Sequence, residues 1–195
     1  MNTNLTIPKG TINEPKYLEQ ILKLKPDMLV SYGCSLIRSD MLSEFRGRFL
    51  NVHLGLSPYY RGVGTNFWPL VNEEPEYVGA TFMHIDKGID TGEIIHQIRA
   101  RMFENDDAHD IGNRLILDMV GAYIKIIQQF DMLKPMEPLR APKKTNLYKR
   151  ADFTAKAVEV LNQNIRNGLI KDYLRDYQER CLEAPIIQQS HLVVR

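Results

Sequence analysis

The sequence has few cysteines and no long hydrophobic run. Cys34 and Cys181 are the two cysteines among 195 residues, too few for a disulfide framework and without the spacing of a structural metal site. No apolar stretch approaches the roughly 20 residues that a membrane-spanning helix needs. Residues 1–16 lack both the apolar core of a signal peptide and the Arg-rich character of a transit peptide. The sequence therefore predicts a cytoplasmic protein with no metal and no membrane contact.

A strong net charge is also absent, since 25 Lys and Arg face 24 Asp and Glu, giving +1. The balance is uneven, because residues 134–195 carry +5 and residues 1–133 carry −4. The segment Leu139–Arg150 contains no acidic side chain and five basic ones: Arg140, Lys143, Lys144, Lys149 and Arg150. Such a segment either attracts a phosphorylated ligand or is a solvated connector. We favour the connector, so nucleic acid is not an expected partner.

Short apolar runs of strand length alternate with helix signals along the first half of the chain. A helix is expected between Asn13 and Pro26, and another at Ser39–Phe45. The predicted strands are Met28–Tyr32, Phe49–His53, Val78–Ile85 and Glu93–Met102. This alternation predicts an α/β fold with a mostly parallel sheet. Because such sheets bind ligands at the carboxyl ends of their strands, the site should lie after Tyr32, after His53 and after Ile85.

The second half of the chain has a helical period. From Asp107, apolar residues recur every three or four positions and predict a long amphipathic helix: Ile111, Leu115, Met119, Ala122, Ile126 and Phe130. Thr154 can cap a further helix, and Leu169–Tyr177 forms an apolar stripe that packs within the chain or in a homodimer. We therefore divide the chain into a catalytic domain (1–133), a basic linker (134–150) and a helical C-terminal segment (151–195).

Three polar residues are candidates for catalysis. Asn51 and His53 are two positions apart in a predicted strand, so their side chains project from the same face. Asp90 lies in a glycine-flanked turn after another strand. Together they can serve acyl transfer between nitrogens: Asn51 donates to a developing oxyanion, His53 handles protons, and Asp90 orients His53 or a relaying water. None is a strong nucleophile, which favours direct attack by a substrate amine.

The sequence around these residues resembles the formyltetrahydrofolate-dependent formyltransferase family. That family has an Asn-x-His motif, then a Ser-Leu-Leu-Pro-like loop with Arg-Gly, then an Asp-x-Gly turn. The matching residues are Asn51-Val52-His53, Leu56-Ser57-Pro58-Tyr59-Tyr60-Arg61-Gly62 and Ile89-Asp90-Thr91-Gly92. The loop differs from the family pattern at Gly55-Leu56, where Ser-Leu-Leu is common. The resemblance extends from about Pro26 to Phe130.

The resemblance implies a Rossmann-like domain and formyl transfer from N10-formyltetrahydrofolate, as co-substrate, to a primary amine. Asn51, His53 and Asp90 match the family's catalytic trio. The family binds the pterin between two loops, whose counterparts here are Tyr32, Gly33, Cys34, Ser35, Leu36 and Ile37 in the first, and Ile85, Asp86 and Gly88 in the second. Asn66-Phe67-Trp68-Pro69 and Tyr148-Lys149-Arg150 are similar to family members that formylate nucleotide-linked amino sugars, which we expect as acceptors.

Other functions stay open. The family domain usually begins with a strand, a glycine loop, a helix and a strand, and about a dozen residues precede the helix after Asn13, so we expect an N-terminally truncated domain. The same trio suits a formyltetrahydrofolate hydrolase, a methionyl-tRNA formyltransferase-like enzyme, or an inactive relative that binds folate or a nucleotide. Trp68 can stack on a ligand or anchor the core. His84 and His96 are expected to be packing or surface residues, because no metal-ligand spacing surrounds them.

Overall fold

The computed structural model describes residues 4–133, 136 and 145–192. Its helices are α1 (Pro15–Lys23), α2 (Ser39–Glu44), α3 (Trp68–Val71), α4 (Ala108–Gln128), α5 (Ala155–Arg166), α6 (Leu169–Arg175) and α7 (Tyr177–Glu183). Its strands are β1 (Leu29–Tyr32), β2 (Phe49–His53), β3 (Tyr60–Gly62), β4 (Gly79–His84), β5 (Ile94–Arg99) and β6 (Asn146–Tyr148). The predicted α/β class is confirmed. None of the described helices combines the length and apolarity needed to cross a membrane.

The central sheet has four strands in the order β1-β2-β4-β5. Strands β1 and β2 are parallel, with Ser31 opposite Asn51, whereas β2–β4 and β4–β5 are antiparallel. The sheet is thus mixed where we expected it to be mostly parallel. The physical reason is the connection between β4 and β5, residues 85–93, which contains no helix. A parallel crossover needs a dozen or more residues, so these two strands pair as an antiparallel hairpin.

A second, two-stranded sheet pairs β3 with β6 in parallel. The sequence did not predict either strand. Above this pair an aromatic cluster forms, in which Trp68 stacks on Tyr148 with ring centroids 4.1 Å apart and planes 5° apart. The Nε1 of Trp68 donates to the carbonyl of Val63 at 2.9 Å. Trp68 is therefore a buried structural anchor, one of the two roles we considered for it.

The main core lies between the central sheet, α4 and the C-terminal helices. It contains apolar residues from the strands, from α4 and from the C-terminal segment, among them Leu50, Phe82, Ile98, Leu115, Ile126, Leu161 and Tyr173. Helix α4 confirms the predicted period, since Ile111, Leu115, Met119, Ala122 and Ile126 are its buried residues. The chain division at 133 and 150 remains a prediction, and Arg140, Lys143 and Lys144 of the basic segment lie outside the described residues.

Side chains cap the first turns of α4 and α5, and the cap at Thr154 is the one predicted from the sequence. Asp107 accepts hydrogen bonds from the amides of His109 and Asp110 and forms a capping box at the start of α4. Thr154 accepts from the amide of Ala157 at the start of α5. The apolar stripe Leu169–Tyr177, by contrast, divides at Asp176 into α6 and α7. Leu169, Ile170 and Tyr173 of this stripe are buried within the chain, so packing inside the molecule accounts for them.

Candidate active site

Strand β2 presents Asn51 and His53 side by side at the end of the sheet. Val52 between them points to the opposite face and joins the main core, as the two-residue period of a strand requires. Both polar side chains line a cavity of about 710 Å³. The expectation that strand geometry brings this amide and this imidazole together is confirmed.

His53 is nearly enclosed, with 9% of its surface exposed. Its Nδ1 lies 3.3 Å from Oδ1 of Asp90, and its Nε2 lies 3.3 Å from the carbonyl oxygen of Tyr60. Burial lowers the pKa of His53, because the charged ring loses its hydration, while the negative charge of Asp90 acts in the opposite direction. A neutral ring carries one N–H and can donate to one of these acceptors, whereas a protonated ring can donate to both.

Asp90 is held in place by its left-handed backbone conformation and by a hydrogen bond to its second carboxylate oxygen. Its φ of +53° lies in the left-handed region, which Asp and Asn tolerate better than most residues. Its Oδ2 accepts a hydrogen bond of 2.9 Å from the amide of Gly62. The turn before it is shaped by Asp86, which accepts from the amide of Gly88 and the hydroxyl of Thr91. Asp90 is therefore fixed between β3 and the His53 ring.

Asn51 is oriented by a residue that sequence analysis did not single out. Ser31, its neighbour on β1, donates from Oγ to Oδ1 of Asn51 at 2.8 Å. Since the amide oxygen is occupied, the NH2 group is the part of Asn51 available to the cavity. An oxyanion of a bound substrate would find its hydrogen-bond donor there. The hydroxyl of Tyr123, from α4, contacts the main chain of Ser31 and Leu50 and supports this corner.

Close packing behind His53 requires a glycine at position 55. A Cβ atom there would lie 2.6 Å from Nε2 of His53 and 2.6 Å from Cβ of Thr65, distances that real Cβ atoms do not show. The Nε2 edge of the ring therefore faces Gly55 and the Tyr60 carbonyl. The other ring nitrogen, Nδ1, faces Asp90.

Every residue predicted to bind the pterin lines the same cavity as the trio. The first loop contributes Tyr32, Gly33, Cys34, Ser35, Leu36 and Ile37, and the second contributes Ile85, Asp86 and Gly88. Asn13 ties the first loop to the entrance of α1, since its side chain donates to the carbonyl of Leu36 and accepts from the amide of Arg38. The placement agrees with the prediction, while the roles of these residues stay predictions.

A buried polar network that was not predicted from the sequence lies at the base of the Ser57-Pro58 loop. The hydroxyl of Thr81 donates to the carbonyl of Gly55 and accepts from the amide of Ser57. Gln97 donates to the carbonyl of Ser57 and accepts from the amide of Ile187. Thr81 and Gln97 are both fully buried. A polar residue at an inward-facing strand position was the available signal, because such residues need partners.

Two of the histidines outside the trio, His84 and His96, have packing or edge positions, as expected from the sequence. His96 is fully buried, and its Nδ1 accepts from the amide of Gln189 at 3.0 Å. His84 is half-buried at the edge of the large cavity, and burial lowers its pKa. Within the described ranges, no three His, Cys, Asp or Glu side chains are grouped so that they could hold a metal ion.

The topology and the cavity at the strand ends define an α/β domain of the Rossmann-like class. More specifically, the chain belongs to the formyl transferase family, whose model matches residues 6–127. The resemblance found in the sequence motifs is confirmed by this match.

Curated relatives include methionyl-tRNA formyltransferases. The one from Caldanaerobacter subterraneus subsp. tengcongensis is 33% identical over 110 residues, which cover 55% of this chain and 35% of the relative. The one from Francisella philomiragia subsp. philomiragia is 27% identical over 165 residues, which cover 82% of this chain and 52% of the relative. The chain thus spans about a third to a half of the length of these relatives.

A solved structure with a similar fold is the formyltransferase PseJ from Anoxybacillus kamchatkensis, in complex with UDP-4,6-dideoxy-4-formamido-L-AltNAc and tetrahydrofolate. The two share 25% sequence identity and superpose with a TM-score of 0.56, covering 77% of this chain and 72% of that chain.

Proposed function

We propose that this protein transfers a formyl group from N10-formyltetrahydrofolate to a primary amine. The observation that carries the proposal is the convergence of Asn51, His53 and Asp90 at one cavity, with the His53 ring 3.3 Å from the Asp90 carboxylate. An amide donor, an imidazole and a carboxylate are the groups that direct acyl transfer to an amine requires. Family membership supports this chemistry.

The donor would bind between the loops that follow β1 and β4. These loops form one wall of the large cavity, and a solved relative with a similar fold holds tetrahydrofolate. Residues 32–37 offer backbone amides and carbonyls for the polar edge of a pterin, and exposed apolar side chains such as Leu36 for its faces. The cavity volume of about 710 Å³ is in the range of small-molecule sites.

The NH2 group of Asn51 would donate to the formyl oxygen as negative charge develops on it. Such a donor is worth about 3–4 kcal/mol in comparable oxyanion sites. Ser31 keeps this group aimed at the cavity by occupying the amide oxygen. The bond that forms joins the amine nitrogen to the formyl carbon, and the bond that breaks joins that carbon to N10 of the folate.

The proton released by the attacking amine would leave through Asp90 and Nδ1 of His53. The other ring nitrogen faces Gly55 and the Tyr60 carbonyl, which leaves Nδ1 as the edge on the substrate side. Because burial lowers the pKa of His53, the ring is neutral at pH 7 and can take a proton. Once charged, it donates to both Asp90 and Tyr60, which stabilises the transient imidazolium. The proton then passes to N10 of the leaving folate.

For the acceptor we propose the amine of a nucleotide-linked sugar. The support is the solved formyltransferase described above, whose complex contains a UDP-linked formamido sugar and of which this chain covers 72%. A second candidate is methionyl-tRNA, which is supported by the curated relatives. The two acceptors share an amine and a phosphorylated nucleotide.

Formation of tetrahydrofolate, followed by absorbance, tests the function. The full chain is mixed with N10-formyltetrahydrofolate and, in separate reactions, UDP- and dTDP-linked amino sugars, methionyl-tRNA, or no amine. The proposal predicts release that depends on an amino sugar, with one formamide product per folate. Equal release without any amine would instead identify a hydrolase. Folate binding without release in any reaction would identify a non-catalytic binding protein.

A further inference from the structure

A second cavity, of about 450 Å³, adjoins the first. The two share Asp90, Thr91 and Gly92, so the carboxylate of the trio borders both. The other residues of the second cavity used below are Ser57, Arg61, Glu93 and Ile187. None of these four contributes to the first cavity. The second cavity therefore offers a separate space from which a molecule can reach the trio.

Buried hydrogen bonds hold the walls of this cavity in place. Gln97 donates to the carbonyl of Ser57 at 2.7 Å and accepts from the amide of Ile187 at 2.9 Å, so one side chain links two residues that line the cavity. Thr81 accepts from the amide of Ser57 at 3.0 Å. On the Ile187 side, the hydroxyl of Tyr59 donates to the carbonyl of Pro185 at 2.8 Å. The cavity is thus formed by fixed groups before any ligand binds.

Two polar atoms of this cavity have no partner among the described residues. The Oγ of Ser57 is buried without a hydrogen bond, in a residue that is 2% exposed, and the buried Nε of Arg61 also lacks one. Native proteins satisfy the large majority of such groups, because a buried polar group without a partner lowers the stability of the fold. Two residues that line one cavity thus each carry a donor without a partner among the described residues, which favours a ligand that accepts hydrogen bonds.

The charges of the cavity narrow the ligand class. Among its described lining residues, Arg61 is the one cation, and Asp90 and Glu93 are carboxylates. Asp90 is engaged by His53 and by the amide of Gly62. A guanidinium is a preferred partner of phosphate and carboxylate groups, while a carboxylate attracts an amine. The cavity suits a molecule that carries an amine and, a short distance away, an anionic group.

We infer that the second cavity receives the amine acceptor, with Arg61 and Ser57 binding a phosphate group of that molecule and Asp90 meeting its amine. This inference rests on the proposed function, because it places the acceptor on one side of Asp90 and the formyl donor on the other. The phosphate contact fixes the acceptor, and the amine is then delivered to the edge of the first cavity. Arg61 and Ser57 thereby select amines that carry a phosphate.

The first test compares O-phosphoethanolamine with ethanolamine, two amines that differ by one phosphate. Binding to the full chain, without any folate, is followed by NMR chemical-shift titration. We expect the wild type to bind O-phosphoethanolamine at least about tenfold more tightly than ethanolamine, since ethanolamine lacks the group that accepts a charge-assisted hydrogen bond from Arg61. Arg61→Gln should remove the difference, and Arg61→Lys should restore part of it because the charge is kept.

Two further variants separate binding from folding. Ser57→Ala removes a hydroxyl that has no hydrogen-bond partner in the described part of the chain, so it should weaken O-phosphoethanolamine binding severalfold and leave the melting temperature unchanged. Arg166→Gln is the matched control, since Arg166 is exposed on α5 and lines neither cavity. The inference is wrong if the wild type binds both amines equally, if the preference survives Arg61→Gln, or if Arg166→Gln removes it as well.

The binding test and the activity test can fail separately. If O-phosphoethanolamine binds through Arg61 and no amine accepts a formyl group, the phosphate site is supported and the proposed function is wrong. If formyl transfer occurs and Arg61→Gln changes neither the KM for the nucleotide-linked amine nor the binding preference, the function stands and the phosphate site falls. If both the proposed function and the phosphate site are correct, Arg61→Gln raises the KM for the nucleotide-linked amine about tenfold and leaves the affinity for folate unchanged.

Discussion

The trio, on β2 and in the turn before β5, and the network of Thr81 on β4 and Gln97 on β5 are two polar clusters of the central sheet. They differ in how their hydrogen bonds are used. The network is closed: each of its side chains bonds to main-chain groups of the Gly55–Ser57 loop or of Ile187, or to its partner. The trio is open: Asn51 keeps its NH2 group for the cavity, and one neutral His53 ring faces two acceptors.

This difference separates groups that hold the site from groups that act in it. A closed cluster lowers the free energy of the folded state, and removing one member leaves buried partners unsatisfied. An open cluster contributes little to folding and retains capacity for a substrate. Substitutions in the trio should therefore change activity at nearly constant stability, and substitutions in the network should change stability first.

The largest expected effect is on turnover. His53→Gln and Asp90→Asn each remove proton handling while keeping the shape of the side chain, and Asn tolerates the positive φ at position 90. Each should lower kcat for formyl transfer about 10²–10⁴-fold and shift the melting temperature little. Steady-state kinetics and thermal unfolding of the same samples measure both quantities.

Asp131→Asn is the control for these variants, because Asp131 is exposed and lines neither cavity. Near-normal turnover in both trio variants would contradict the assigned roles. A large loss of stability in Asp90→Asn would show that the trio belongs with the closed cluster.

The next effect is on stability. Thr81→Val keeps the shape of the side chain and leaves the Gly55 carbonyl and the Ser57 amide without their partner. The expected loss is about 1–3 kcal/mol in the free energy of unfolding, which lowers the melting temperature by about 2–4 °C per kcal/mol at this size. Thr145→Val, at an exposed position, should have almost no effect. Equal melting temperatures of Thr81→Val and Thr145→Val would contradict the view that the network of Thr81 and Gln97 stabilises the fold.

A smaller effect on turnover is expected at Ser31, which positions Asn51 and belongs neither to the trio nor to the network of Thr81 and Gln97. Ser31→Ala frees the Asn51 amide to rotate, which should lower kcat severalfold and leave the KM values unchanged. Ser31→Thr keeps the hydroxyl and should restore most of the rate. If Ser31→Ala changes stability and not kcat, the hydroxyl is structural only.

The smallest effect is a shift in the pKa of His53. Burial holds this pKa below the usual value of about 6.5, and the charge of Asp90 partly offsets the burial. Asp90→Asn should therefore lower it further, which an NMR titration of the His53 ring measures, with His53→Gln assigning the signal. Because the unfolded chain protonates at higher pH than the folded one, the free energy of unfolding should fall as pH drops below about 6.5. A pKa that rises in Asp90→Asn would contradict the stated balance.

Much of the helical structure was predictable because its signals are local. Asp107 and Thr154 cap helices within four residues of themselves, and the buried positions of α4 follow one period. The β3–β6 pair was not predictable in this way, since Tyr60 pairs with Asn146 across 85 intervening residues. The direction of β5 was within reach, because the short helix-free connection before it favours a hairpin.

The residues of the site likewise divide into those that local sequence patterns predict and those that depend on distant partners. Strand period predicted that Asn51 and His53 lie together, and the glycine-flanked turn after another predicted strand added Asp90. The sequence did not identify three further polar residues of the site, Ser31, Thr81 and Gln97. Each is an ordinary polar residue in its own segment, and its role depends on hydrogen-bond partners 16 to 90 residues away. Their positions follow from the three-dimensional pairing of strands, which local patterns do not contain.

The hydrogen bond between Gln97 and Ile187 has a consequence for the order in which the protein is made. Its two partners are 90 positions apart, so at ribosomal rates about 5–20 s pass between their synthesis. During that interval the three residues of the trio have already been synthesised, whereas Ile187 in the wall of the second cavity has not. A nascent chain would thus complete the second cavity only after the segment around Ile187 has been synthesised and docks against Gln97.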